Sequence, residues 1–236
     1  MIKQLTPNIP DYELLDTGDG EKLERFGDYV VRRPEPQAIW RKSLSEGKWL
    51  AADASFLRSN KGEERGEWRL KPEMPSRWTV KFDYKEMHLR MRLALTSFKH
   101  VGIFPEQSAN WEFIYDTIHD LRKEGIERPK VLNLFAYTGG ATLAARAAGA
   151  DVTHVDSVKQ VVTWSRENME SSSLDGVRWI VEDATKFVER EVRRGNKYHG
   201  IILDPPAYGR GANGEKWVLE DDICNMLEQC AKLLEA

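Results

Sequence analysis

Gly139-Gly140, Asp156, Asp183 and Asp204-Pro205-Pro206 each stand just after a short apolar run. Paired glycines let a backbone pass close to a ligand, and a helix opening at Gly140 offers N–H groups to an anion. The competing reading is a strand-to-helix turn that needs glycine for packing alone. Asp156, 17 positions after Gly139, can accept both hydroxyls of a ribose, as its counterpart does in dinucleotide folds. It can equally cap a helix opening near Val158. Asp183, in Val181-Glu182-Asp183-Ala184, can accept from an adenine amino group or serve as a cap. In Asp204-Pro205-Pro206-Ala207-Tyr208-Gly209-Arg210-Gly211, two prolines fix an extended turn without N–H groups, a wall for a flat group or simply a loop. Tyr208 can stack on a base and Arg210 can meet a phosphate, although both also suit an ordinary flexible loop. A glycine turn and three strand-terminal aspartates in this order are improbable as independent caps.

These residues converge only if the apolar runs are neighbouring strands of one sheet. From Pro129 onward, short apolar runs at 131–135, 151–155, 177–181 and 198–203 alternate with helical patterns at 140–148, 158–170, 184–194 and 218–235. Alternation of this kind predicts parallel strands with right-handed crossovers, hence an α/β, Rossmann-like doubly wound sheet. Ligands of such sheets bind beyond the carboxyl ends of the strands, where all four features lie. A further helix is expected over 108–124, with Ser108 as N-cap, one face of Trp111, Ile114, Tyr115, Ile118 and Leu121, and Gly125 as its stop. The first hundred residues read as a small, mostly antiparallel β-rich domain. Val80, Phe82 and Tyr84, and then Leu89, Met91, Leu93 and Leu95, alternate with polar residues at period two. Two domains are therefore expected, a β-rich one over 1–100 that can bind substrate or RNA, and the α/β one over 101–236.

With these motifs in place, the sequence resembles class I S-adenosylmethionine-dependent methyltransferases. VLNLFAYTGG is similar to the first motif of that family, and Asp156, Asp183 and Asp204-Pro205-Pro206 to its second, third and fourth. The form LNLFAYTGG with DPPAYGRG resembles in particular the branch containing bacterial large-subunit rRNA 5-methylcytosine methyltransferases, and VGIFPEQ at 101–107 fits that branch too. The resemblance implies S-adenosylmethionine as cofactor. Gly139 and Gly140 would then meet its carboxylate, Asp156 the ribose diol, and Asp183 with Ala184 the adenine edge, with Phe135, Ala136, Tyr137 and Ser157 also among the cofactor-binding residues. Phe104 and Gln107 would close over it. Asp204, Pro205, Pro206 and Tyr208 would position the acceptor, with Asp204 also near the cofactor amine and Arg210 on substrate phosphate. Cytosine C5 methylation needs a nucleophilic cysteine, which this Asp-Pro-Pro motif lacks. Cys224 and Cys230 are expected on the apolar face of the last helix with Ile223, Leu227 and Leu234. In the resembling enzymes the nucleophile belongs to a later motif, so the methylated atom stays open.

Charge and composition narrow the field further. The chain has 236 residues and a net charge of −3, distributed as +3 over 1–100 and −6 over 101–236. A uniformly basic nucleic-acid coat is excluded, whereas 77–100, with six basic and two acidic residues, can make a local anion-attracting surface or a merely solvated strand face. Two cysteines support neither a disulfide framework nor a metal site, and no signal or membrane-length apolar run is visible, so a cytoplasmic protein is expected. The leading expectation is an RNA methyltransferase. Its rivals are a small-molecule or protein methyltransferase, and a non-catalytic RNA-binding protein with a degenerate cofactor fold. A dehydrogenase is disfavoured because the G-x-G-x-x-G spacing is absent. Four strands stand where the resemblance implies seven. The chain is therefore expected to be C-terminally truncated, with the fourth strand unpaired on its outer side.

Overall fold

Alternating apolar and polar residues build the first part of the chain, and apolar runs broken by helices build the second. The computed structural model describes residues 9–59, 62–211 and 214–235. They divide into one unit running to Asp83 and including Arg90–Ser108, and another comprising Tyr84–Leu89 and the residues from Ala109 onward.

In the first unit β1 (Tyr12–Gly18), β2 (Glu21–Phe26), β3 (Tyr29–Pro34), β4 (Ala54–Ser59) and β5 (Gly62–Leu70) form one sheet in chain order. Neighbours are antiparallel except β3 and β4, which run parallel. A parallel pair requires a crossover, and the chain between them carries the short helix α1 (Glu46–Leu50). Trp49 of α1 is fully buried against Leu23 and Ala52, and its indole N–H donates to Asp16 at 3.0 Å. Asp16 also accepts from the backbone N–H groups of Thr17, Ser43 and Leu44. Burial opposes its ionisation, but these four donors hold the carboxyl below its ordinary range. Glu24, on β2, is fully buried and takes Arg33 of β3 in a fork, at 2.7 and 2.9 Å. The Tyr12 hydroxyl donates to the same carboxylate at 3.1 Å.

β6 (Arg77–Tyr84) and β7 (Met87–Ala94) form a two-stranded sheet. Val80, Phe82, Met87, Leu89, Met91 and Leu93 are buried at alternate positions, as the period-two pattern predicts. Within the basic segment, Arg77 and Lys81 point outward and are exposed, while Arg90 is bonded to Asp83 at 2.9 Å.

The second unit places β8 (Lys130–Leu134), β9 (Asp151–Asp156), β10 (Arg178–Val181) and β11 (Gly200–Leu203) in the order β10-β9-β8-β11, every pairing parallel. The chain steps outward from β8 to β10 and then returns to the other side of β8, which makes β8 the point where the winding reverses. Helices α2 (Ser108–Lys123), α3 (Gly140–Ala147), α4 (Lys159–Ser171), α5 (Ala184–Arg194) and α6 (Leu219–Leu233) flank the strands in sequence. A core of Leu132, Leu134, Val155, Phe187, Met226 and Leu233 lies on one side of the sheet. No helix among the described residues is long and apolar enough to cross a membrane.

Several local expectations need correction. Ser108 is not an N-cap; it continues a 3-10 turn, Pro105–Gln107, directly into α2. The buried stripe of α6 is Met226, Cys230 and Leu233 with partly buried Leu219 and Ile223, whereas Cys224 is exposed and Leu227 is 53% exposed. Apolar residues at 223, 226, 227, 230, 233 and 234 satisfy two helical stripes one position apart, and packing against the sheet selects one of them. The Asp-Pro-Pro loop continues as a hairpin of β12 (Tyr208–Arg210) and β13 (Lys216–Val218). Nor is the outer side of the fourth strand wholly bare. Just before β11, Tyr198 donates its N–H to Leu233 and accepts from Glu235, a parallel bridge after α6.

Candidate functional site

Register decides which side chains meet at the carboxyl edge of the parallel sheet. Asn133, His154 and Trp179 stand in one row across β8, β9 and β10, with Ile202 of β11 beside Asn133. Two residues further, about 6.6 Å along each strand, come Phe135, Asp156, Val181 and Asp204. Three of the four sequence motifs thus open from a single rung.

The turn after β8 has an unusual backbone. Phe135, Tyr137 and Gly139 have φ of +53°, +50° and +92°. Left-handed geometry at a bulky aromatic residue costs about 1–3 kcal/mol and persists only where neighbours enforce it. Those neighbours are visible. The Phe135 ring lies 4.8 Å from that of Trp217, whose indole N–H donates to the Pro206 carbonyl at 2.8 Å. Tyr137 donates its N–H to Asp156 at 3.0 Å, and its carbonyl accepts from the Ser165 hydroxyl at 2.6 Å. The next carbonyl, of Thr138, accepts from the Asn168 amide at 2.9 Å. The turn spends its own N–H groups inside the fold, Ala136 on the Val155 carbonyl, Tyr137 on Asp156 and Gly139 on the Ala136 carbonyl, so donors for an anion come from the first residues of the following helix, α3.

The two glycines divide their labour. Gly139 holds the left-handed N-cap position of α3, which has no side-chain cap. Gly140 does what its packing reading requires, since a Cβ there would stand 2.4 Å from the ring of buried Trp111.

Asp156 is not the cap of α4; that position belongs to Val158, whose N–H donates to one Asp156 oxygen at 2.9 Å while Tyr137 donates to the other. Each oxygen keeps a lone pair for a further donor. Desolvation raises this carboxyl above its ordinary range, and the two N–H donors offset only part of the rise. Asp183 is the N-cap of α5, accepting from the Lys186 N–H at 3.1 Å, with Ala184 buried behind it. Ser157 is half-buried. Two exposed apolar side chains that the sequence reading passed over, Val158 at 41% and Val181 at 49%, follow β9 and end β10. They offer a greasy surface beside the two aspartates.

Asp204 and Pro206 are exposed after β11, and Pro205 is half-buried. Tyr208 is exposed on β12, and Arg210 donates to its hydroxyl at 2.9 Å, so the pair is a strand feature rather than a loose loop. Phe104 and Gln107 belong to the other unit, with the Phe104 ring 5.2 Å from His100. Phe135, Ala136, Tyr137, Gly139, Gly140, Asp156, Ser157, Asp183, Ala184, Asp204, Pro205, Pro206, Tyr208 and Arg210 all belong to the second unit. Ser165, Asn168 and Trp217 escaped the sequence reading; only the spacing of Ser165 and Asn168 on one face of α4 hinted at them.

The profile of the S-adenosylmethionine-dependent methyltransferase family matches residues 43–236. A ribosomal RNA large subunit methyltransferase K/L from Shewanella frigidimarina is 26% identical over 243 residues, covering 96% of this chain and 33% of that protein. The chain thus spans about a third of the length of that curated relative. The crystal structure of a SAM-dependent methyltransferase from Agrobacterium tumefaciens aligns with a TM-score of 0.88 at 41% identity, over 98% of this chain and 71% of that one. The SMU.776 structure complexed with SAH aligns with a TM-score of 0.71 at 20% identity, over 98% and 60% of the two chains, and shares the fold.

Proposed function

The chain belongs to the S-adenosylmethionine-dependent methyltransferase family, and from that premise we propose that its sheet edge binds S-adenosylmethionine and serves methylation of RNA. The observation that carries this reading is Asp156, a carboxylate with one lone pair open on each oxygen, fastened to the left-handed turn that opens α3. Such a carboxylate suits the two ribose hydroxyls. The N-terminus of α3 suits the amino-acid carboxylate. Val158 and Val181 give the adenine ring an apolar surface, and Asp183 stands within the same loop as Val181 to accept from its amino group. When bound, the cofactor supplies an electrophilic methyl group on a sulfonium. The protein's share is positioning, because transfer needs the acceptor in line with that methyl. Asp204 and the rigid Pro205-Pro206 wall orient the acceptor, Tyr208 offers an aromatic face, and Arg210 a cation for phosphate.

RNA is favoured as substrate class by the curated relatives named for ribosomal RNA and by the exposed Tyr208–Arg210 pair. A reducing, cytoplasmic setting accords with two free cysteines. The chain as a two-part protein, with the β-rich unit holding substrate and the α/β unit holding cofactor, completes the proposal. Calorimetric titration with S-adenosylmethionine tests the first half, and absence of binding at high micromolar concentration defeats it. Filter binding of ribosomal RNA tests the second. Affinity should fall steeply with salt, and a flat salt response would point to a small-molecule or protein acceptor instead.

A further inference from the structure

One rung below the candidate site lies a buried polar row that the methyl-transfer reading does not use. His154 is fully buried on β9, and its Nδ1 lies 2.9 Å from the Thr142 hydroxyl of α3. That hydroxyl also meets the Asn133 amide of β8 at 2.9 Å, and both partners are buried as well. The His154 Nε2 has no hydrogen-bond partner among the described residues. Its ring meets Trp179 of β10 in a T-shaped contact at 4.8 Å, and the Arg166 guanidinium of α4 covers the same indole at 6.0 Å.

The tautomer of His154 sets the direction of this chain. With Asn133 donating its amide N–H into the Thr142 oxygen, the hydroxyl proton is free for His154 Nδ1, which then carries no proton. Nε2 then carries the proton, in a ring that meets the Trp179 indole edge to face. Burial keeps the ring neutral, depressing its pKa to about 3, so it does not take a second proton within the neutral range.

The row sits where it can control the site. Asn133 precedes Phe135 by two residues, His154 precedes Asp156 by two, and Thr142 follows Gly140 by two. It ties the first turn of α3 to both strands whose ends carry the left-handed turn and the carboxylate. We propose that Thr142 and His154 are positioning residues for the cofactor: a one-directional chain from Asn133 through Thr142 to His154 holds the α3 N-terminus and Asp156 in mutual register. This rests on the cofactor-binding reading above.

The test uses the whole chain and S-adenosylmethionine. Thr142→Val keeps the shape and deletes both hydrogen bonds, and Thr142→Ser keeps the hydroxyl. Calorimetry should show Thr142→Val binding about tenfold more weakly (about 1.4 kcal/mol) at a temperature where it is fully folded. Thr142→Ser should fall within about twofold of wild type, and a shift in melting temperature alone, with affinity unchanged, overturns the proposal. If the unaltered protein does not bind, the cofactor reading fails and this inference with it; if it binds and Thr142→Val binds equally, only this inference fails. Should Thr142→Val not fold, nitrogen-15 imidazole spectra of the unaltered protein decide. His154 should show a protonated Nε2 and bare Nδ1, unchanged from pH 8 to pH 5, whereas a protonated Nδ1 or a titration within that range overturns the chain.

Discussion

Glu24 and Asp156 are both carboxylates set into sheets, and the protein treats them in opposite ways. Glu24, in the antiparallel sheet, is sealed from solvent and given a guanidinium fork and a tyrosine hydroxyl, which hold its carboxyl low against the cost of burial. Asp156, at the open edge of the parallel sheet, receives only two backbone N–H groups and stays raised. Glu191 shows that the second unit is able to satisfy a buried carboxylate. At the amino end of its sheet that side chain, fully buried, accepts from Tyr198, Asn196 and Arg194, and its carboxyl is held low despite the burial. The two-donor state of Asp156 is therefore not a general shortage of donors in that unit. A scaffold spends its donors where nothing else will arrive, and leaves lone pairs open where a ligand will.

The contrast is sharpest when each carboxylate is removed. Glu24→Ala strands the Arg33 guanidinium in an apolar interior and should cost about 3–5 kcal/mol of folding free energy, read by urea unfolding. A loss below about 1 kcal/mol would show that the pair is incidental. Asp156→Ala should do the reverse. Two hydrogen bonds to a charged group are worth about 3 kcal/mol together, so S-adenosylmethionine affinity should drop roughly 100-fold, with a smaller loss of stability than for Glu24→Ala. Unchanged affinity would remove Asp156 from the site.

Acid should separate the two units more gently. The His154 imidazole has a folded pKa of about 3, below its unfolded value of 6.5. Above pH 6.5 neither state is protonated there, and the full stability is present. As pH falls below 6.5 the unfolded chain binds a proton that the native ring refuses, and stability declines by at most about 1.4 kcal/mol per pH unit until pH 3. Glu24 and Asp16, both lowered, keep their contribution until the ordinary carboxylate range near pH 4 and lose it below. Hydrogen exchange, corrected for intrinsic rates, should therefore show β8 and β9 losing protection between pH 6.5 and 4.5 while β2 and β3 hold. The opposite order would contradict the comparison.

How much of this was readable in advance depends on the distance over which each signal acts. Leu89, Met91 and Leu93 declare their strand because period two is local. The strand–helix alternation from β8 to α5 declares the parallel sheet for the same reason, and the aspartates then follow from where strands end. Cys224 cannot be placed from the sequence, because two stripes of α6 are equally apolar and only the sheet chooses between them. Tyr208-Gly209-Arg210 and Lys216-Trp217-Val218 are too short to show a period, so the hairpin they form was invisible. The row of Asn133, His154 and Trp179 exists only once three strands are in register. Left-handed geometry at Phe135 and Tyr137 runs against residue preference, and no local pattern announces it.

That turn has a thermodynamic consequence for any ligand it receives. Its backbone is fastened by Asp156, Ser165 and Asn168, and Phe135 is held against Trp217. The freedom of those residues is surrendered when the chain folds, not when a ligand arrives. Association at this edge should accordingly proceed with little ordering penalty, as into a mould already set.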